Sequence, residues 1–160
     1  MINERIFLAR HLRNLSLQMM EDSHTFCKQV DESLKPAWAS LIMQLEQHGK
    51  LTVMQAAEKL AVSHVHAQKI LKSMKESEII SGARDPDDGR QTFYTLTEKG
   101  RSLLPKIDKI NAAIAIVLDD IAKESGEDLY SAIRAFSAVL DKESWTTRVT
   151  KQINTKEEIK

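Results

Sequence analysis

The stretch GARDPDDGRQTFYTLTEKG, residues 82–100, decides the fold. Asp85-Pro86 and Asp88-Gly89 are turn signals, and Thr92-Phe93-Tyr94-Thr95-Leu96 is a β-branched and aromatic run of strand character. With Ile79-Ile80 as the opposite strand, residues 82–90 read as the tip of a hairpin. Arg84 and Arg90 bracket that tip, and Asp88 is placed to hold Arg90 or Lys69 in position. Thr97 follows as the N-cap of a long helix.

Working upstream, Thr52 and Gln55 form a capping-box pattern ahead of Ala56, Ala57 and Leu60. Ser63 caps the next helix, whose apolar face is Ala67, Ile70, Leu71 and Met74. Only Ala61 and Val62 separate the two helices, which forces a sharp angle between them. A tight helix pair, a hairpin and then a long helix make a winged helix-turn-helix. The expected fold is mainly α (α+β), with long N- and C-terminal dimerisation helices on either side.

The flanks supply those helices. Leu8, Leu12, Leu15 and Met19 form one stripe of a helix over about residues 4–28. Pro36 opens the next helix, Trp38, Leu41, Ile42 and Leu45 form its buried face, and His48-Gly49 ends it. After Thr97, Leu103, Ile107, Ile110, Ile114, Val117 and Ile121 recur in heptad fashion, further than a small core needs. Ser125-Gly126 interrupts the helix, Asp128 fits a new cap, and Leu129, Ile133, Phe136 and Leu140 continue the pattern. Leu8, Leu12, Ile107, Ile110, Ile114, Val117, Ile121, Leu129, Ile133 and Phe136 are the expected contacts to a second chain. From Lys142 the sequence reads as a polar tail, in which Trp145 and Val149 pack locally. The expected organisation is a single domain over 1–160: an N-terminal dimerisation helix (1–34), the winged helix-turn-helix (35–100), and C-terminal dimerisation helices with the tail (101–160).

Composition narrows the function. The 160 residues carry no formal net charge, which argues against a generally polyanion-binding surface. The balance is local, however. Residues 62–106 hold Lys69, Lys72, Lys75, Arg84, Arg90, Lys99, Arg101 and Lys106, and three of the opposing acids, Asp85, Asp87 and Asp88, cluster at the hairpin tip. The single cysteine, Cys27, excludes an internal disulfide framework and fits a reducing compartment. No apolar run is long enough to span a bilayer, and no signal-peptide pattern opens the sequence. A cytoplasmic protein without membrane partners is expected.

The helix at residues 63–75 is the candidate reader of double-stranded DNA. Ser63, His64, His66, Gln68, Lys69 and Lys72 lie on its N-terminal outward positions. Gln can pair with adenine and Lys with guanine in the major groove, and a phosphate suits the helix N-terminus. Arg84 and Arg90 suit a narrow minor groove. For a lone amphipathic helix a solvated face is the better reading; the tight turn before it and the hairpin after it reverse that. Glu21, His24 and Cys27 are metal-ligand types spaced by three, but three such residues drifting across one helix face usually need further ligands. A lone helical Cys is usually an inert packing residue. His64 and His66 point to opposite sides of a helix and cannot chelate from there. No nucleophile elbow, phosphate-cradling Gly loop or zinc-protease pattern is present, so neither enzymatic activity nor a cofactor is expected.

These residues resemble the MarR family of bacterial winged-helix transcription regulators. Pro36-Ala37-Trp38, Leu51-Thr52, Ala56-Ala57-Glu58-Lys59-Leu60 and Val62-Ser63 carry the resemblance, together with the run from Asp85-Pro86 to Gly100. The family signature of Asp-x-Arg, five residues, then Leu-Thr falls on Asp88, Arg90, Leu96 and Thr97. The Ser63-His64 start is similar to a subgroup otherwise fused to GNAT-type acetyltransferases, a domain not expected in these residues. The resemblance implies a homodimer on a palindromic operator, released by a small-molecule effector. The crevice it implies would be lined by His11, Leu15, Met19, Trp38 and Ile42. The sequence departs from the family pattern at Ala61 and Glu78, where Gly is common, at Lys69, where Arg is common, and at His66, which replaces a small residue. The alternatives are a winged-helix protein-interaction module without DNA binding, and a metal- or redox-sensing regulator acting through Cys27.

Overall fold

The computed structural model describes residues 3–86 and 91–157. Asp88 and Arg90 lie outside the described residues. The chain packs as two units, residues 1–112 and 113–160, divided inside its longest C-terminal helix.

The first unit opens with a 3-10 turn, Glu4–Phe7, where Asn3 accepts the Arg5 N–H, and continues as α1, Leu8–Val30. Most of α1 is solvated; Leu8, Leu12, Leu15 and Met19 remain 39–48% exposed, and Cys27 alone of the helix is buried. Helix α2, Pro36–His48, begins on Pro36 and stops at Gly49, whose φ of +75° is left-handed. Trp38, Leu41, Ile42 and Leu45 are buried as the spacing predicts. They meet Leu34, Leu71, Met74, Ile79, Ile80 and Ile107 in one core.

Helix α3, Val53–Leu60, carries the predicted capping box: Thr52 accepts the Gln55 N–H, and Gln55 Oε1 accepts the Thr52 N–H. Helix α4, His64–Glu76, is capped by Ser63, which accepts the His66 N–H at 3.2 Å. Ala67, Leu71 and Met74 are buried and Ile70 partly so. Both helices end alike. The Val62 N–H reaches back to the Ala57 carbonyl at 3.0 Å and the Ile79 N–H to that of Met74 at 2.9 Å. This six-to-one closure needs a left-handed residue one step earlier, normally glycine. Here those residues are Ala61 (φ +51°) and Glu78 (φ +59°), the two positions where the sequence departs from the family's glycines.

Strands β1, Ile80–Arg84, and β2, Thr92–Leu96, pair antiparallel, with Ile80 opposite Leu96 and Arg84 opposite Thr92. The first strand runs further than the sequence predicts, and the hairpin closes with the Asp85 N–H donating to the Gln91 carbonyl. Leu51 bridges Tyr94 through both of its backbone groups, which ties the hairpin to the segment before α3.

Thr97 caps a helix as predicted, but a short one, α5, Glu98–Arg101. The long helix α6, Leu104–Ser125, starts afresh after a turn at Ser102-Leu103. Pro105 is the reason. It has no N–H to give the Arg101 carbonyl, and its ring collides with a carbonyl four residues back, so it is tolerated in a first turn and not in an interior. Leu103, Ile107 and Ile110 are then 5%, 0% and 7% exposed and belong to this unit's own core. Ile107 and Ile110 are therefore unavailable to a second chain, contrary to the expectation from the heptad spacing.

The second unit holds the rest of α6, then α7, Leu129–Lys142, and α8, Trp145–Glu157. Gly126 turns the chain with φ +74°, and Asp128 caps α7 by accepting the Ser131 N–H and hydroxyl. The expected tail is instead helix α8. Ser144 caps it by accepting the Thr147 N–H, and Arg148 donates to the carbonyls of Glu143 and Val139, which pins α8 to the end of α7. Ile114, Val117 and Ile121, and Leu129, Ile133 and Phe136, are all 37–54% exposed.

Candidate nucleic-acid interface

Helix α4 is the centre of the site. Its buried face is fixed by Ala67, Leu71 and Met74, so the positions on the other side are solvated by geometry rather than by composition. Val65, Gln68, Lys69 and Lys72 are exposed there. Lys72 pairs with Glu76 one turn on at 3.8 Å, with both side chains well solvated, so the pair holds Lys72 only weakly. The helix N-terminus, where His64 stands, carries the positive end of the backbone dipole.

The predicted DNA-facing residues of α4 are all exposed, and His64, His66, Gln68 and Lys69 border two different depressions. His64 and Gln68 lean toward the hairpin and share a polar cleft of about 440 Å³ with Thr52, Met54, Thr92 and Tyr94. His66 and Lys69 line an open groove of about 580 Å³ between α1, α2, the end of α3 and α4. Ser63 is committed to its capping bond, which leaves its hydroxyl hydrogen to donate. Arg84 closes β1 and is exposed beside the tip.

The hairpin is tied at its base. The Thr97 hydroxyl donates to the Glu78 carbonyl at 2.7 Å, the Thr97 N–H to the Ile79 carbonyl at 3.1 Å, and the Thr97 hydroxyl oxygen accepts the Gly100 N–H at 3.1 Å. Gly100 sits so close that a Cβ there would lie 2.2 Å from the Ile79 carbonyl oxygen. Lys50 stacks over Phe93 at 4.0 Å, and the Ser81 and Thr95 hydroxyls bond across the strands at 3.0 Å.

The groove differs from the crevice implied by the resemblance. Of His11, Leu15, Met19, Trp38 and Ile42, only Trp38 lines it. Ile42 is fully buried in the core, and His11, Leu15 and Met19 are exposed on α1 but do not line the groove. Met20 and His24 lie on the groove side of α1. Lys35 is the residue that sequence reading passes over: its ammonium stands 4.5 Å over the Trp38 ring and 3.4 Å from the Ser73 hydroxyl of α4. Its spacing of three from Trp38 across a helix start was the available signal.

Asp31 ends α1 and accepts the Lys106 ammonium at 2.7 Å. That bond, helped by the Ser33 hydroxyl and N–H, lowers the Asp31 carboxyl to about 2. Cys27 faces the core, and burial pushes its thiol up. A raised thiol is a poor thiolate source, which works against the redox alternative. Glu21, His24 and Cys27 are not brought together, and among the described residues no three His, Cys, Asp or Glu side chains are grouped as metal ligands.

The sequence profile of the MarR family matches residues 33–91, from just before α2 to just before β2. That segment is similar to the MarR family. A transcriptional regulator of the helix-turn-helix type from Staphylococcus aureus (strain Mu50) is 23% identical over 108 residues, covering 65% of this chain and 73% of that protein. Among solved structures, the transcriptional regulator BldR of Sulfolobus solfataricus superposes with a TM-score of 0.69 at 14% identity, covering 87% of this chain and 96% of that one. BpsR of Bordetella bronchiseptica, whose DNA binding is regulated by 6-hydroxynicotinic acid, superposes with a TM-score of 0.52 at 18% identity, covering 70% and 98%. At these identities the structures speak for the MarR fold. No helix among the described residues is long and apolar enough to cross a membrane.

Proposed function

We propose that this chain is a homodimeric transcription regulator that binds a palindromic operator in duplex DNA through α4 and the hairpin, and is released by a small molecule. The observation that carries the reading is α4 itself. Its apolar face is spent on the core, its N-terminus is open, and Gln68, Lys69 and Lys72 project from the solvated side at the spacing a major groove accepts. Arg84 and the hairpin tip supply the flanking contact to backbone or minor groove. Acting on DNA places the protein in the cytoplasm, and no catalytic step is needed.

Two copies are supported by exposed apolar faces. In the first unit, α1 presents Leu8 and Leu12; in the second, α6 and α7 present Ile114, Val117, Ile121, Leu129, Ile133 and Phe136. Within each unit, exposed apolar helix stripes of this kind suit an interaction site. The groove beside Trp38 is the candidate effector site; a ligand there touches α4 directly through His66 and Lys69.

Selection of bound fragments from random duplex DNA tests the reading. The expected product is a two-fold symmetric site with half-sites about one helical turn apart, bound with an affinity that falls steeply as salt is added. Recovery of no preferred sequence, with no salt-sensitive binding to any duplex, would favour the protein-interaction module instead.

A further inference from the structure

Met54 is the most exposed large apolar side chain among the described residues, at 74%. It is the second residue of α3, and it lines the cleft that α3 shares with His64 and Gln68 of α4 and with Thr92 and Tyr94 of the hairpin. In a tight helix pair on DNA, the second helix enters the major groove and the first crosses the backbone. Helix α3 is that first helix, so its open end, where Met54 stands, meets the sugar-phosphate edge.

The other sulfur atoms are placed differently. Met74 and Cys27 are buried. Met43, on α2, accepts the Asn111 side-chain amide on its sulfur at 3.1 Å. Met19 and Met20 are exposed on α1, and only Met20 comes near α4, in the groove on the side away from the hairpin. Met54 is therefore the described thioether that is both the most open to solvent and beside the hairpin and the start of α4.

We propose that Met54 is an oxidation site that sets the strength of DNA binding: the thioether packs against the DNA backbone, and its sulfoxide does not. The inference rests on the DNA-binding reading above. The oxidant is a hypohalous acid. With hypochlorous acid a sulfur–oxygen bond forms, the oxygen–chlorine bond breaks, sulfur is oxidised to sulfoxide, and chlorine leaves as chloride with a proton. A thioether lies on deoxyribose without losing a hydrogen bond, whereas a sulfoxide brings an acceptor oxygen and no donor to a surface of phosphate oxygens, which are acceptors too. Stripping that acceptor of water without a partner should weaken binding about tenfold per half-site. No charge changes, so the salt dependence keeps its slope.

The test treats the full chain with substoichiometric hypochlorous acid, quenches with free methionine, and locates sulfoxides by peptide mass spectrometry. DNA affinity is then measured over a salt series on the selected duplex. Met54 should be oxidised first. Bound duplex should slow oxidation of Met54 and leave that of Met19 unchanged. The oxidised protein should bind more weakly at every salt concentration with an unchanged slope, and methionine sulfoxide reductases should restore its affinity. Met54→Leu should bind as the wild type does and resist the treatment; Met20→Leu should respond as the wild type does.

If Met54→Leu loses affinity on treatment as the wild type does, or if the duplex gives Met54 no protection, the assignment of Met54 is refuted while the DNA reading stands. Full affinity in a protein oxidised at Met54 overturns the proposal as well. Absence of salt-dependent DNA binding by the untreated protein removes the DNA reading first, and the proposal with it.

Discussion

Replacing Gly100 by alanine should destabilise the protein by about 2–4 kcal/mol, although alanine is the better helix former by about 1 kcal/mol. The added Cβ would stand 2.2 Å from the Ile79 carbonyl oxygen and 3.1 Å from Leu96 Cδ2. Carbon and carbonyl oxygen ordinarily approach no closer than about 3.3 Å. Relief therefore needs a backbone displacement of about 1 Å between α5 and the start of β1, because the nearer partner is backbone; the Leu96 methyl, a side-chain end, can give by a few tenths of an ångström. The Ile79 carbonyl is also an acceptor for Thr97, so moving it weakens a bond worth about 1 kcal/mol and disturbs a cap worth about as much. These losses, with ordinary overpacking strain of about 1–3 kcal/mol, outweigh the propensity gain. The assay is urea denaturation followed by helical circular dichroism, with Gly49→Ala as the reference. Gly49 has φ +75° and nothing within 4 Å of a new Cβ, so its substitution should cost only the backbone strain, about 1 kcal/mol. A Gly100→Ala protein as stable as the wild type, or no less stable than Gly49→Ala, would refute the packing of α5 on β1.

Three further outcomes follow from the same contacts. Ala61→Gly should raise stability by about 0.5–1 kcal/mol in the urea assay, since a left-handed alanine is strained by about 1–2 kcal/mol and glycine is not, less the extra freedom glycine brings to the unfolded chain; a loss would mean the turn is not left-handed. Asp31→Asn should cost about 1 kcal/mol at neutral pH, a figure kept small because Lys106 is half-exposed. The folded carboxyl is lowered to about 2, below its unfolded value, so this contribution is complete above about pH 4 and should be nearly gone at pH 2; an equal deficit at both pH values would count against the Asp31–Lys106 bond. Gln68→Ala should weaken binding to the best selected sequence by about 1–3 kcal/mol per contact and relax preference at one base pair in each half-site, read by competition between duplexes; unchanged specificity would remove Gln68 from the reading face.

Much of this molecule is legible in its sequence because the signals are local. The Thr52–Gln55 box, the Ser63 and Thr97 caps, Pro36 and Gly49 at the two ends of α2, and the strand run before Thr97 each act within a few residues, and each appears where the sequence puts it. Two local signals were present but outweighed by periodicity: Pro105, which divides α5 from α6, and Ser144, which starts α8 where a tail was expected. Positions Ala61 and Glu78 were also marked by sequence, and their backbone supplies the reason, since the helix-ending bonds demand left-handed residues.

What the sequence could not determine is which apolar or charged residue meets which neighbour. Ile107, Ile110 and Ile114 occupy equivalent places in one heptad pattern, yet the first two fill the core and the third is exposed, because a repeat records a helix face and not the object packed against it. His66 and Lys69 read as DNA-facing by position on α4; only the placement of α1 and α2 beside that helix turns them toward a groove with Trp38 and Lys35. Caps and turns are settled by bonds between near neighbours in the chain, whereas a groove exists only once helices distant in sequence have docked, so the secondary structure was written in the sequence and the shape of the binding surface was decided by tertiary packing.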